Sequence, residues 1–129
     1  MTGTCSCGTV GVKVAEPPAF VNDCNCSLCR KVGALWGYYD AAAIEVTGST
    51  SGYFRTDKNP ALTEVHHCRT CGTTTHFVSH HPEAPSMRGV NMNLFALTDL
   101  SGVERRYPDG AAWDGKSEYA FRRDPEPMP

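Results

Sequence analysis

The sequence predicts a mostly β domain of many short strands, with few or no long helices and with metal as its tie. Three observations carry that prediction. Short runs of β-branched and aromatic residues recur along the chain and are cut off by Gly, Pro, Asp and Asn. No stretch sustains a long helical period. Seven cysteines fall into three tight groups, and a chain of 129 residues buries only a modest core, so a metal staple adds stability it needs.

Val10, Val12 and Val14 alternate with Gly11 and Lys13, the period of a strand with one buried face. Pro17-Pro18 then imposes an extended loop or turn. Ser27 to Val32 suits one short helical segment, with Gly33 ending it. Leu35 to Tyr39 is aromatic and reads as a strand, as does Ile44 to Thr47 before a turn at Gly48. Ser51 to Arg55 and Leu62 to His67 are the next two strands, separated by the turn-forming Asp57-Lys58-Asn59-Pro60. Thr73 to Ser79 and Arg88 to Leu94 complete the set. From Ser101 onward Gly, Pro, Asp and charge predominate. The expectation is one zinc-binding domain over residues 1–123 and a flexible tail over 124–129, where three prolines stand in six residues.

Composition excludes several classes. Hydrophobic residues make up 40% of the chain, which argues against disorder. The net charge is -2 and the twelve Lys and Arg form no block, so nucleic acid is not the expected partner. Met1-Thr2-Gly3-Thr4-Cys5 has neither the basic nor the apolar region of a signal peptide. No run approaches the ~20 apolar residues of a membrane span. The expectation is therefore a cytoplasmic protein, where dense cysteine is metal-binding or catalytic rather than disulfide-bonded. An odd number of cysteines agrees, because pairing would strand one thiol.

The cysteines are Cys5 and Cys7, then Cys24, Cys26 and Cys29, then Cys68 and Cys71. A tetrahedral zinc with Zn–S of ~2.3 Å sets its sulfurs ~3.8 Å apart. A C-x-x-C turn brings two sulfurs that close, and Gly72 suits the positive φ of such a turn. Residues two apart on a strand share a face, so Cys5 and Cys7 can chelate one ion if the chain bends at Gly8. Combining the outer groups gives a closed site of Cys5, Cys7, Cys68 and Cys71. The middle trio then offers three thiolates and an open fourth position, the arrangement of catalytic rather than structural zinc. Alternatives are that His66, His67 or His76 closes the second site, or that the trio holds no metal and is simply three spare thiols. A redox C-x-x-C fits less well, since no βαβ pattern surrounds it. Arg30 and Lys31 follow the trio directly. They either offset the charge of a three-thiolate zinc and hold a ligand carboxylate, or are ordinary surface cations. Trp36, Tyr38 and Tyr39 either pack in the core or line a pocket beside the metal.

Cys5-Ser6-Cys7-Gly8, Cys24-Asn25-Cys26-Ser27-Leu28-Cys29-Arg30-Lys31 and Cys68-Arg69-Thr70-Cys71-Gly72 together resemble the glutathione-dependent formaldehyde-activating enzyme family, also called the centromere protein V family. The resemblance is specific over Thr4 to Phe77 and thins to Gly89-Val90-Asn91 and Asp109-Gly110. It implies a β-tent of antiparallel sheets around zinc. It implies that Cys5, Cys7, Cys68 and Cys71 hold a structural zinc and that Cys24, Cys26 and Cys29 hold a catalytic one. It further implies a carbon–sulfur lyase-type activity that joins glutathione to formaldehyde, giving S-hydroxymethylglutathione. The chemistry is consistent: a thiol of ordinary pKa near ~8.5 is mostly protonated at neutral pH, and zinc deprotonates it. The other expectation from the resemblance is a non-catalytic zinc module that binds glutathione or a protein partner.

Overall fold

The computed structural model describes all of residues 1–129. Its strands are β1 (Thr2–Thr4), β2 (Gly11–Val14), β3 (Phe20–Asn22), β4 (Trp36–Asp40), β5 (Ile44–Thr47), β6 (Thr50–Phe54), β7 (Thr63–Cys68), β8 (Thr74–Ser79), β9 (Met87–Asn91), β10 (Glu104–Arg106) and β11 (Glu126–Pro127). The single α-helix, α1, spans Ser27–Val32, and three 3₁₀ turns cover Ala41–Ala43, Met92–Leu94 and Leu97–Leu100. The mostly β architecture expected from the sequence is the one observed. No helix is long and apolar enough to cross a membrane.

The strands form two sheets. One is three-stranded in the order β1-β2-β5, and the other is eight-stranded in the order β11-β10-β3-β4-β9-β8-β7-β6. All pairs are antiparallel except β10 with β3. The alternation in β2 sends Val12 and Val14 inward, where they meet Val21, Val90, Met92 and Leu100 from the larger sheet and its connections. Each fully buried valine of this core contributes about 1.5–3 kcal/mol relative to exposure. A second, smaller core forms where Leu28 and Val32 of α1 pack against Trp36, Val65 and Phe77. That packing seats α1, and with it the cysteine trio, against β4.

Four short strands lie outside what the sequence predicted: β1, β3 and β10 have three residues each and β11 has two, too few to register a period of two. The expected flexible tail over 124–129 is corrected: β11 pairs with β10, Met128 is 7% exposed, and its backbone N–H donates to the Val103 carbonyl at 2.8 Å. The prolines did not prevent this because β11 is an edge strand, where a missing N–H costs little, and the Met128 side chain fills space in the main core. Within the larger sheet, the β7–β8 register shifts between His66 and His67. Such an irregularity bends a strand end, and here it lies just before Cys68.

Candidate metal centres

The first cluster joins distant parts of the chain. Cys5 follows β1, Cys7 lies in the turn toward β2, Cys68 ends β7, and Cys71 sits in the turn before β8. Their four sulfurs all lie within 4.8 Å of one another. Cys5–Cys7 is 3.5 Å and Cys7–Cys68 is 3.7 Å, close to the ~3.8 Å edge of a zinc–sulfur tetrahedron. Gly72 has φ 77°, the left-handed turn conformation that favours glycine and closes the C-x-x-C loop. Val10 N–H donates to Cys5 Sγ at 3.3 Å and Thr70 N–H to Cys68 Sγ at 3.4 Å. Thr9 Oγ1 lies 3.0 Å from Cys7 Sγ and Thr73 Oγ1 lies 3.1 Å from Cys71 Sγ. These donors favour thiolates. Hydrogen bonds from the Ser6 and Thr73 side chains hold Cys71 down to about 4, and Thr9 holds Cys68 down to about 7.

The second cluster is local. Cys24, Cys26 and Cys29 occupy the end of the β3–α1 connection and the first turn of α1, and their sulfurs also lie within 4.8 Å of one another. Cys26 caps α1, its sulfur accepting from Cys29 N–H at 3.4 Å, and Gly33 ends the helix at φ 63°. Each sulfur accepts one N–H: Cys24 from Cys26 N at 3.4 Å, Cys26 from Cys29 N, and Cys29 from the Trp36 indole at 3.2 Å. The Cys26–Cys29 sulfurs are 3.2 Å apart. The three thiols share their protons unequally. Cys24 and Cys29 together hold Cys26 far below the usual thiol range, whereas Cys24 and Cys26 push Cys29 far above it. Such a set favours one anion before any cation arrives, and a divalent ion would favour all three. Both clusters thus have the soft donors and spacings that suit zinc, and no cysteine is paired in a disulfide.

The sequence profile of the family described as "Glutathione-dependent formaldehyde-activating enzyme" matches residues 1–111. The chain belongs to that family. Among solved structures, a Rhodobacter sphaeroides protein determined by crystallography is 28% identical, with a TM-score of 0.60 over 74% of this chain and 87% of its own. No curated protein matches the chain significantly.

Around the trio this family member builds walls that the cysteine spacing does not foretell. Gly110 lies so close that a Cβ there would fall 2.5 Å from Cys24 Sγ and 2.9 Å from Cys26 Cβ. Asn25 holds that approach in place: its Nδ2 donates to Asp109 Oδ1 at 2.7 Å, and its Oδ1 accepts from Ala111 N–H at 2.9 Å. Opposite Ser27, Arg55 forms a two-pronged pair with Asp57 at 2.8 and 2.7 Å and reaches Ser27 Oγ at 3.3 Å. Asp57 first, and then the neighbouring Cys26, hold this guanidinium more firmly protonated than usual. Tyr119 feels the trio as well; burial first, then the charges of Cys24, Cys26 and Cys29, raise its phenol. A groove of about 650 Å³ opens beside Cys24 and Cys29, with Arg30, Arg105 and Arg122 on its wall. Asp23 pairs with Arg105 and lies 3.7 Å from Arg122, whereas Arg30 makes no ion pair.

The predicted residues fall as follows. Arg30 lines the groove, while the exposed Lys31 does not. Trp36 touches the trio through its indole. Tyr39 turns away and donates to the Glu16 carbonyl at 3.1 Å. None of the histidines weighed as further ligands joins either sulfur cluster: His66 and His76 stack 4.6 Å apart, His66 lies 2.9 Å from Glu64, and His67 lies beside Tyr53 with ring centres 6.3 Å apart. Of the residues not singled out from sequence, Asn25 sat inside the motif, and Arg55 and Asp57 flank the turn before Pro60. Only folding brings Arg55 to Cys26 and Asp57 to Ser27.

Proposed function

We propose that this chain is a zinc-dependent enzyme of the carbon–sulfur lyase type, joining a thiol such as glutathione to formaldehyde or a related small aldehyde. Cys24, Cys26 and Cys29 would hold the catalytic zinc, and Cys5, Cys7, Cys68 and Cys71 the structural one. The single observation that carries the reading is the unequal ligand count: four sulfurs converge in one cluster and three in the other. Zinc bound to the trio supplies a cation that keeps an incoming thiol deprotonated at neutral pH.

The protein's own residues do the rest. The N–H groups of Cys26, Cys29 and Trp36 orient the three sulfurs and stabilise their charge. Arg30, free of any ion pair on the groove wall, holds a carboxylate of the thiol substrate; Lys31, one residue on, adds positive potential from outside the groove. Gly110 and the Asn25 clamp exclude solvent from one side of the trio. Holding thiol and aldehyde together lowers the entropic part of the barrier. Free thiols at all seven positions suit the cytoplasm.

The test compares wild type with Cys26→Ser for zinc content and for adduct formation from glutathione and formaldehyde. The variant is expected to lose one zinc and essentially all acceleration while staying folded. Full zinc and full rate in the variant would refute the assignment. Tight glutathione binding by wild type with no acceleration would favour the carrier or partner-binding module over the enzyme.

A further inference from the structure

Adding sulfur to a carbonyl carbon moves an electron pair onto the carbonyl oxygen, and that oxygen needs a hydrogen-bond donor. None of the residues assigned above supplies one. The groove touches Cys24 and Cys29 but neither Trp36 nor Tyr38, so its arginines serve the body of the thiol on a different side.

Strand β4 offers the missing donor. Trp36 and Tyr38 are two residues apart on a strand and therefore face the same way. The Trp36 indole donates to Cys29 Sγ at 3.2 Å, which fixes that face toward the trio. Tyr38 is held there by Phe20 at 5.8 Å and by Phe77 at 6.3 Å, the latter also packed edge-on to Trp36 at 5.0 Å. Its phenol oxygen accepts from Asn22 Nδ2 at 3.0 Å. Asn22 thus orients the hydroxyl and uses its acceptor side, while the hydroxyl hydrogen has no acceptor in the protein. Burial, opposed by Asn22 and reinforced by Cys29 and Cys24, pushes the phenol well above its usual range, so it stays protonated at neutral pH.

We propose that Tyr38 is a catalytic residue whose hydroxyl donates to the aldehyde oxygen as the carbon–sulfur bond forms, with Asn22 as its positioning residue. This rests on the trio being the site of thiol addition. The atoms balance without any oxidant or reductant. The thiol releases its proton to solvent on binding, the sulfur–carbon bond forms, and the carbonyl π pair moves to oxygen. That oxygen takes the Tyr38 hydrogen, and Tyr38 regains one from water. The reverse reaction retraces these steps.

The test uses the zinc-loaded full chain and the variants Tyr38→Phe, Asn22→Ala and Cys26→Ser. Zinc per chain, glutathione Kd by calorimetry, and kcat with formaldehyde are measured for each. Tyr38→Phe is expected to keep zinc and glutathione Kd and to lose roughly 100-fold in kcat, the scale of one oxyanion donor. Asn22→Ala is expected to lose roughly tenfold, since the phenol remains but is less well aimed. Unchanged kcat in Tyr38→Phe, with activity lost in Cys26→Ser, would overturn the Tyr38 proposal and leave the trio assignment standing. Unchanged kcat in both variants would overturn the trio assignment and the proposal with it. Loss of zinc or of glutathione binding in Tyr38→Phe would make the residue structural and would also overturn the proposal.

Discussion

The two cysteine clusters use the same ligand chemistry on opposite chain geometries. In the four-cysteine cluster, Cys7 and Cys68 are 61 residues apart in sequence; Cys5 and Cys68 are buried, Cys71 is half-buried and Cys7 lies at the surface. In the trio, Cys26 and Cys29 are three residues apart, and all three side chains are partly exposed. Closing the longer loop removes roughly 3 kcal/mol more chain entropy by the logarithmic length rule. On the proposed division, a metal in the first cluster would act chiefly on folding, because it would tie together segments that are far apart in the unfolded chain. A metal in the trio organises a segment that α1, its caps and Trp36 already hold. On the same division, an ion in the four-cysteine cluster would bridge distant elements, and an ion in the trio would be held by one short stretch of chain, Cys24 to Cys29.

The largest expected effect would break this comparison outright if absent. Cys68→Ser or Cys71→Ser is expected to abolish stable folding, because the roughly 10–16 kcal/mol that a structural zinc supplies is as large as the 5–15 kcal/mol a domain has in total. Cys24→Ser or Cys29→Ser is expected to leave a cooperative melt with a Tm within a few degrees of wild type. Circular dichroism melts of the four variants decide the matter, and equal destabilisation by both sets would contradict the division.

A pH series separates the metal from the sheet. His76 is buried and held down to about 4 by burial first, then by the charges of His66 and Arg88, with Glu64 opposing. Its unfolded value is 6.5. Above 6.5 it is neutral in both states and contributes no pH dependence. Between 6.5 and 4 the unfolded chain binds a proton that the folded chain refuses, so stability falls as pH falls, by about 3 kcal/mol in all. His76→Gln should remove this component from denaturant-melt stabilities over that window, leaving the acid sensitivity of the thiolates. An unchanged slope would exclude His76 as its source.

Gly110 sharpens the comparison further. Gly110→Ala drives a Cβ to 2.5 Å from Cys24 Sγ, an overpacking of about 1–3 kcal/mol. Chelator competition should show one zinc bound more weakly and the other unchanged; equal weakening of both would place Gly110 outside the trio's control. The smallest effect concerns the cations. Arg30→Ala is expected to raise KM for glutathione several-fold with little change for an uncharged thiol, and Lys31→Ala to raise it less. Reversed magnitudes would shift the carboxylate contact to Lys31.

Much of this organisation was legible in the sequence because short-range rules govern it. The α1 range, its stop at Gly33, the Gly72 turn and most strands follow from local preference and period. So does the division of cysteines into four and three, which rests on spacing alone. What was not legible depends on long-range approach. Met128 enters the core although its neighbours are prolines, since edge position and space decide, not propensity. Arg55 reaches Cys26 only because the β6–β7 hairpin folds over α1, and Gly110 reaches Cys24 only because Asn25 clamps a loop more than eighty residues away in sequence.

X-ray absorption at the zinc edge, on holoprotein with and without glutathione, tests the central claim most directly. Before glutathione, the expected average is between three and four sulfurs per zinc at ~2.3 Å. With saturating glutathione it should rise to four, and Cys26→Ser should show four from the start because only the closed site remains loaded. An average of four sulfurs in wild type that glutathione leaves unchanged would mean the second ion is already enclosed, and no open position exists for the thiol.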